Sequence, residues 1–106
     1  MFANTPEPPY YVVTFTSQRR TGDYGYRSMS AKMFKLALAQ PGCLGVESVR
    51  DEDGFGITCA YFSDEASILA WKQHAEHLDA QYLGIMRWYE HYAVRVARVE
   101  RAYDGP

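Results

Sequence analysis

Trp88-Tyr89-Glu90-His91-Tyr92-Ala93-Val94-Arg95-Val96-Ala97-Arg98-Val99-Glu100-Arg101-Ala102 is the stretch that decides the fold. Aromatic and β-branched residues recur through it, charges are interleaved, and neither Gly nor Pro interrupts it, which is the pattern of a β-strand. At about 3.3 Å per residue it would extend roughly 50 Å. A compact chain of this length is only about 30 Å across. The segment is therefore expected to bend at a bulge, with its far end leaving the parent sheet to pair with a second copy of the chain.

Working outward, the remaining elements fall into a regular order. Tyr10-Tyr11-Val12-Val13-Thr14-Phe15-Thr16-Ser17 reads as a first strand, and the polar Gln18–Gly25 run as the loop that ends it. A helix starts near Tyr26, because Tyr26, Met29, Met33 and Leu36 are spaced 3, 4 and 3, and Pro41-Gly42 stops it. Cys43–Arg50 and Phe55–Phe62 are two strands joined by the hairpin signal Asp51-Glu52-Asp53-Gly54. Ser63 or Asp64 caps a second helix, whose apolar stripe is Ile68, Trp71, Ala75, Leu78 and Tyr82, with Gly84 as terminator. Ala70, His74, His77 and Gln81 line its adjacent flank. The order β-α-β-β-α-β predicts an α+β, ferredoxin-like domain with both helices on one face of an antiparallel sheet. The other face is left bare, and an aromatic-rich bare face predicts association with a second copy.

Composition narrows the function classes. The 106 residues are 47% hydrophobic and 23% charged with a formal net charge of −2, as expected of one globular domain. A weakly acidic chain argues against a nucleic-acid or anionic-membrane partner, and no apolar run is long enough to span a bilayer. Residues 1–9 carry neither a positive region nor an apolar stretch, so they read as a flexible lead-in to a domain over 10–106, with a cytoplasmic location. A two-residue turn at Asp53-Gly54 would set Cys59 opposite Ser48, five residues from Cys43 and too far for a disulfide. The two thiols are expected to be small buried side chains, and neither has metal-ligand spacing. Nine Tyr, five Phe and two Trp make up 15% of the chain, enough either to fill a small core or to line a cavity for a flat ligand.

Within this framework, Gln40-Pro41-Gly42-Cys43-Leu44-Gly45-Val46-Glu47-Ser48, Phe62-Ser63-Asp64-Glu65, Ala70-Trp71-Lys72-Gln73-His74 and Trp88-Tyr89 resemble the antibiotic biosynthesis monooxygenase family. The resemblance spans about Tyr10 to Tyr103. It implies a dimeric α/β barrel with a pocket between sheet and helices, and a homodimer as the working unit. The family includes cofactor-independent oxygenases of aromatic polyketides and quinols, and haem-degrading enzymes. The haem-degrading members pair a first-strand Asn with a helix Trp and a His ten residues on. Trp71 fits, but Gln81 stands at the His position and the first strand has no Asn, which argues against haem breakdown.

Oxygenase chemistry without a cofactor asks little of a protein. An electron-rich phenol or hydroquinone must be deprotonated, because its anion passes an electron to O₂ far more readily than the neutral form. The pocket must hold the ring, exclude water and stabilise the anion. No metal, flavin or phosphate-binding motif is needed, and the sequence shows none. Imidazole is the natural base near neutrality, which singles out His74 and His77, with Trp71 to orient the ring. Tyr61, Tyr82, Arg87, Trp88 and His91 are the expected substrate contacts. Each has a plainer reading: the helix histidines as a solvated flank, Trp71 as core, and His91 as part of a dimer seam. Strict alternation would place Tyr89, His91 and Ala93 on one sheet face and Trp88, Glu90, Tyr92 and Val94 on the other. Two further functions fit the same residues. One is a non-catalytic dimeric module that binds small molecules, and the other is an isomerase or lyase of an aromatic-degradation intermediate that uses the base but no O₂.

Overall fold

The computed structural model describes residues 1–22, 25–82 and 87–106, with the side chains of 77–82 outside the description. The elements follow the expected order: β1 (Tyr10–Arg19), α1 (Tyr26–Ala39), β2 (Cys43–Arg50), β3 (Phe55–Phe62), α2 (Glu65–Tyr82) and β4 (Tyr89–Val99). The strands form one antiparallel sheet in the order β2-β3-β1-β4, the ferredoxin-like arrangement. The molecule's longest dimension is 40 Å.

The register sorts the side chains between two faces. Val13, Phe15 and Ser17 of β1 share a face with Phe62, Ala60 and Gly56 of β3, Arg50 of β2, and Val96, Val94 and Tyr92 of β4. Arg19 and Arg50 reach from this face to the Tyr26 ring of α1, so this is the helix side. Phe62, fully buried, anchors it. The opposite face carries Tyr10, Cys59, Tyr61, Glu47, Val49, Ile57 and Phe55, with Val49, Ile57 and Phe55 exposed.

Local chemistry explains the boundaries. Asp64 caps α2: its Oδ1 accepts the Ser67 N–H at 2.7 Å. At the hairpin, Arg50 pairs with Gly56, and Asp51 Oδ1 accepts the N–H groups of both Asp53 and Phe55 at 2.9 Å. Gly54 takes φ +87°, the left-handed position of a three-residue hairpin loop. The turn is thus one residue longer than Asp53-Gly54 alone would make it, and Cys59 lies opposite Glu47 rather than Ser48. Cys43 sits opposite Phe62, and both thiols are free.

The decisive strand is shorter and less regular than the sequence suggests. β4 runs Tyr89–Val99 rather than 88–102, because β1 begins at Tyr10, opposite Val99, and offers no partner beyond it. The expected bulge is present. Gln18 pairs with His91 and Arg19 with Tyr89, so Glu90 is the extra residue. The bulge breaks the alternation. Tyr89 joins Tyr92 on the helix side, with ring centroids 6.4 Å apart, while His91 keeps the other face. Residues 1–9 form no regular element, but the Ala3 N–H donates to Glu47 Oε2 at 2.9 Å. Among the described residues no helix is long and apolar enough to cross a membrane.

Candidate functional site

Two groups of side chains occupy the helix side of the sheet, one on α2 and one at the start of α1. On α2, Ile68, Trp71, His74 and Ala75 are half-buried, while Leu69, Ala70, Lys72, Gln73 and Glu76 are exposed. His74 therefore belongs to the inward stripe, not to a solvated flank. Its ring lies 5.8 Å from that of Trp71, tilted by 42°. Its Nε2 is buried and has no hydrogen-bond partner among the described residues. A buried polar atom left unpaired costs stability, about 1–3 kcal/mol, and so calls for an explanation. The side chains of His77 and Tyr82 lie outside the described residues, as does Gly84.

Of the second group the sequence singles out Trp88 alone as a site residue. Tyr26, the first residue of α1, packs edge-on against Tyr89 at 5.9 Å and against Trp88 at 5.9 Å. The Arg19 guanidinium lies over the Tyr26 ring, 3.7 Å from its centroid. That cation is fixed by Nη1 donating to the Trp88 carbonyl at 2.6 Å and Nη2 to that of Gly22 at 3.1 Å. Arg50 stands 5.8 Å from the Tyr26 centroid and 5.6 Å from that of Tyr89. It donates to the Gly54 carbonyl at 2.6 Å, the Ser17 carbonyl at 3.2 Å and Ser17 Oγ at 2.8 Å. Gly56 makes room for it: a Cβ there would fall 2.6 Å from Arg50 Cζ. Phe15 joins the cluster, 5.3 Å from Tyr89 and 5.4 Å from Tyr92.

The phenols of this cluster are tuned in opposite directions. Burial alone raises Tyr26, but hydrogen bonds from Tyr89 and Ser30 and the charge of Arg50 outweigh it and bring Tyr26 below the ordinary tyrosine value. Tyr89 is pushed well up, first by burial and then by donating to Tyr26.

The other sequence-predicted residues are dispersed. Trp88 is buried beside Tyr26, and Arg87 is exposed. Tyr61 and His91 point to the opposite face of the sheet, away from Trp71 and His74. There Tyr61 donates to Glu47 Oε1 at 2.6 Å. Burial and this bond raise the Tyr61 phenol, and the same bond, with the Ala3 N–H, lowers Glu47. A depression of about 400 Å³ beside α1, lined by Ser28, Ala31, Lys32, Lys35 and Leu36, includes none of the expected site residues.

Comparison with known proteins gives this arrangement a context. The family model described as antibiotic biosynthesis monooxygenase matches residues 31–82, the segment from α1 through α2 that carries Trp71 and His74. The uncharacterized protein YqjZ of Bacillus subtilis (strain 168) is 50% identical over 99 residues, covering 93% of this chain and 87% of that protein. Among solved structures, the NE2512 protein of unknown function from Nitrosomonas europaea superposes with a TM-score of 0.69. It shows 13% identity over 95% of this chain and 99% of its own. SnoaB, a cofactor-independent oxygenase from Streptomyces nogalater, gives 0.66 at 15% identity over 92% and 97%. At such identities the structural likeness speaks for the fold. Strand order, helix placement and the matched α1–α2 segment agree with one another, and the chain belongs to the antibiotic biosynthesis monooxygenase family.

Proposed function

We propose that this protein is a cofactor-independent monooxygenase of a phenolic or quinol-type aromatic. The observation that carries the reading is the buried, unpartnered Nε2 of His74 beside the Trp71 ring, on the sheet-facing side of α2. A hydroxyl group bound beside it would satisfy that nitrogen, and the indole would supply a flat wall against which an aromatic ring stacks. Family membership and the likeness to an oxygenase that works without a cofactor support the same chemistry.

The reaction balances without a further reagent. His74 takes the phenol proton, and the resulting anion gives one electron to O₂. Superoxide recombines with a hydrogen-bearing ring carbon ortho or para to the oxygen to give a peroxide. That carbon then loses its proton, the O–O bond breaks, and hydroxide leaves and is protonated to water. One oxygen atom ends as a quinone carbonyl and the other as water. In this reading the protein contributes a base, His74, and an orienting ring, Trp71, on the inward side of α2.

The working unit is a homodimer in this reading. Phe55, Ile57 and Val49 leave an exposed apolar surface on the face without helices, and a second copy would cover it. The substrate class is tested by turnover under heavy-isotope O₂ with hydroxylated naphthalenes. One labelled atom in the quinone product, lost in His74→Ala, is the expected result. Binding of the aromatic without incorporation, in the parent protein, would make the protein a binding module instead.

A further inference from the structure

Residues 1–9 belong to no regular element, yet part of this segment is seated on the sheet. From Tyr10, the first residue of β1, the chain runs back past the end of β3 to the edge strand β2, on the face without helices. There the Ala3 N–H donates to Glu47 Oε2 at 2.9 Å, while Glu47 Oε1 accepts the Tyr61 hydroxyl at 2.6 Å. One carboxylate thus clasps residue 3 and β3 together. Gly45 supplies the seat. The register shift between Cys43 and Gly45 makes Leu44 an extra residue and sets Gly45 opposite Tyr61. A Cβ on Gly45 would fall 2.8 Å from Ala3 Cβ and 3.5 Å from Ala3 Cα, so the segment lies flush on the β2 backbone. Ala3, Thr5 and Pro8 are half-buried, and Tyr10, edge-on to Tyr61 at 6.0 Å, is 5% exposed. The seat is specific, but its hold is small. Ordering a run of residues costs conformational entropy at each of them, and one hydrogen bond to a carboxylate returns only part of it. Phe2, next to the clasp, is 95% exposed and gains nothing from its own chain. It stands near the rim of the face on which Val49, Ile57 and Phe55 are exposed, because β2 is an edge strand and Val49 follows Glu47 on the same side. A strap at the rim leaves the middle of that face open, so it adds surface for a partner and does not block one.

We propose that residues 1–4 are a strap whose closure is coupled to association: seated on Gly45 and Glu47, the strap presents Phe2 to a second copy of the chain at the rim of the bare face. This coupling rests on the homodimer reading and adds to it the segment that completes the contact. Burial of the Phe2 ring against the second copy supplies the free energy that the clasp alone lacks. The clasp, in turn, spares that contact the cost of ordering a loose segment. Under a two-fold axis the arrangement is reciprocal, and each copy receives the strap of the other.

Sedimentation velocity over a dilution series tests this on the full chain, with no residue added before Met1. Phe2→Ser removes the ring and Ala3→Pro removes the N–H donor, and neither alters a residue of the sheet. Each should weaken association by about fivefold or more relative to the parent. At concentrations where the protein is monomeric, Phe2→Ser should unfold at the same temperature as the parent, because its ring is uncovered in the single chain. Hydrogen exchange read by mass spectrometry supplies the second measurement. The segment before Tyr10 should be protected in the concentrated parent and should lose protection on dilution and in Phe2→Ser. Unchanged association in both variants, tighter association in either, or equal protection at every concentration overturns the strap and leaves the homodimer standing. A parent that stays monomeric throughout the series overturns the homodimer reading and the coupling with it.

Discussion

Gly56→Ala is the substitution that most sharply tests whether Arg50 organises the phenol cluster. The added Cβ would sit 2.6, 2.8 and 2.9 Å from Cζ, Nη1 and Nη2 of Arg50, all closer than real Cβ contacts. The guanidinium must move, because the other party is the sheet backbone. Moving it breaks bonds to the Gly54 and Ser17 carbonyls and to Ser17 Oγ, on a residue that is 2% exposed. Hydrogen bonds to a charged donor contribute about 1.5–3 kcal/mol each, and a stranded buried hydroxyl costs about 1–3 kcal/mol. Part of this is recovered as the Arg50 head turns to water, and Ala in a strand regains about 0.5–1 kcal/mol over Gly. The net is about 2 kcal/mol of destabilisation, which for a domain of this size lowers the thermal midpoint by roughly 10 °C. The assay is thermal unfolding by circular dichroism of Gly56→Ala in the parent and in an Arg50→Ala background. With the guanidinium gone, the extra methyl should be neutral or stabilising, so the two substitutions should be strongly non-additive. An unchanged midpoint in the single variant, or the same loss in both backgrounds, would refute the reasoning.

Other consequences can be checked on the same purified protein. Phe62→Ala should cost about 3–5 kcal/mol in urea unfolding, because the side chain is fully buried under the helices. Asp64→Ala should lower stability measurably by leaving the Ser67 N–H uncapped, and Asp64→Asn should recover most of the loss. The Glu47 and Asp64 carboxyls are held below their ordinary values, Glu47 chiefly by Tyr61 and Asp64 by the Ser67 N–H. They therefore contribute stability above those ordinary values, and it is lost as pH falls through the lower folded ones. A pH series of chemical unfolding should show this acid loss flattened in Glu47→Gln with Asp64→Asn. Tyr61 is raised, first by burial and then by Glu47, so its contribution is complete below the ordinary tyrosine value and lost as pH rises beyond it. Tyr61→Phe should reduce that alkaline loss.

The order and hand-placement of the elements were legible because each rests on local chemistry. The Tyr26-Met29-Met33-Leu36 spacing, Asp64 before α2, and the Asp51–Gly54 hairpin all mark their elements without reference to the rest of the chain. Site geometry was less legible, because it depends on single-residue offsets. One extra residue at Glu90 brings Tyr89 to the helix side and leaves His91 opposite, where period-2 counting had put the two together. One extra residue in the hairpin moved Cys59 from Ser48 to Glu47, the same slip that decides which face each β2 side chain serves. The burial of His74 beside exposed Ala70 could not be read from a helical wheel alone. Tyr26 read as one residue of the α1 stripe and Arg19 as a charge of the polar loop after β1; their meeting with Arg50 was not foreseen, because the three lie 7 to 31 residues apart in the chain and carry no motif. The signal available was a strand-end Arg on each of β1 and β2, side chains whose stems and charge are costly to bury without an aromatic or carbonyl partner.

The most direct measurement of the central claim is O₂ consumption by the purified protein with a panel of hydroquinones and hydroxynaphthalenes, with no metal or flavin added. Uptake above the rate of spontaneous oxidation is expected, reduced about 100-fold or more in His74→Ala, the usual contribution of a general base. Binding should survive in that variant, as read by quenching of Trp71 and Trp88 fluorescence. Uptake equal to the spontaneous rate with every compound, or full activity in His74→Ala, would contradict it.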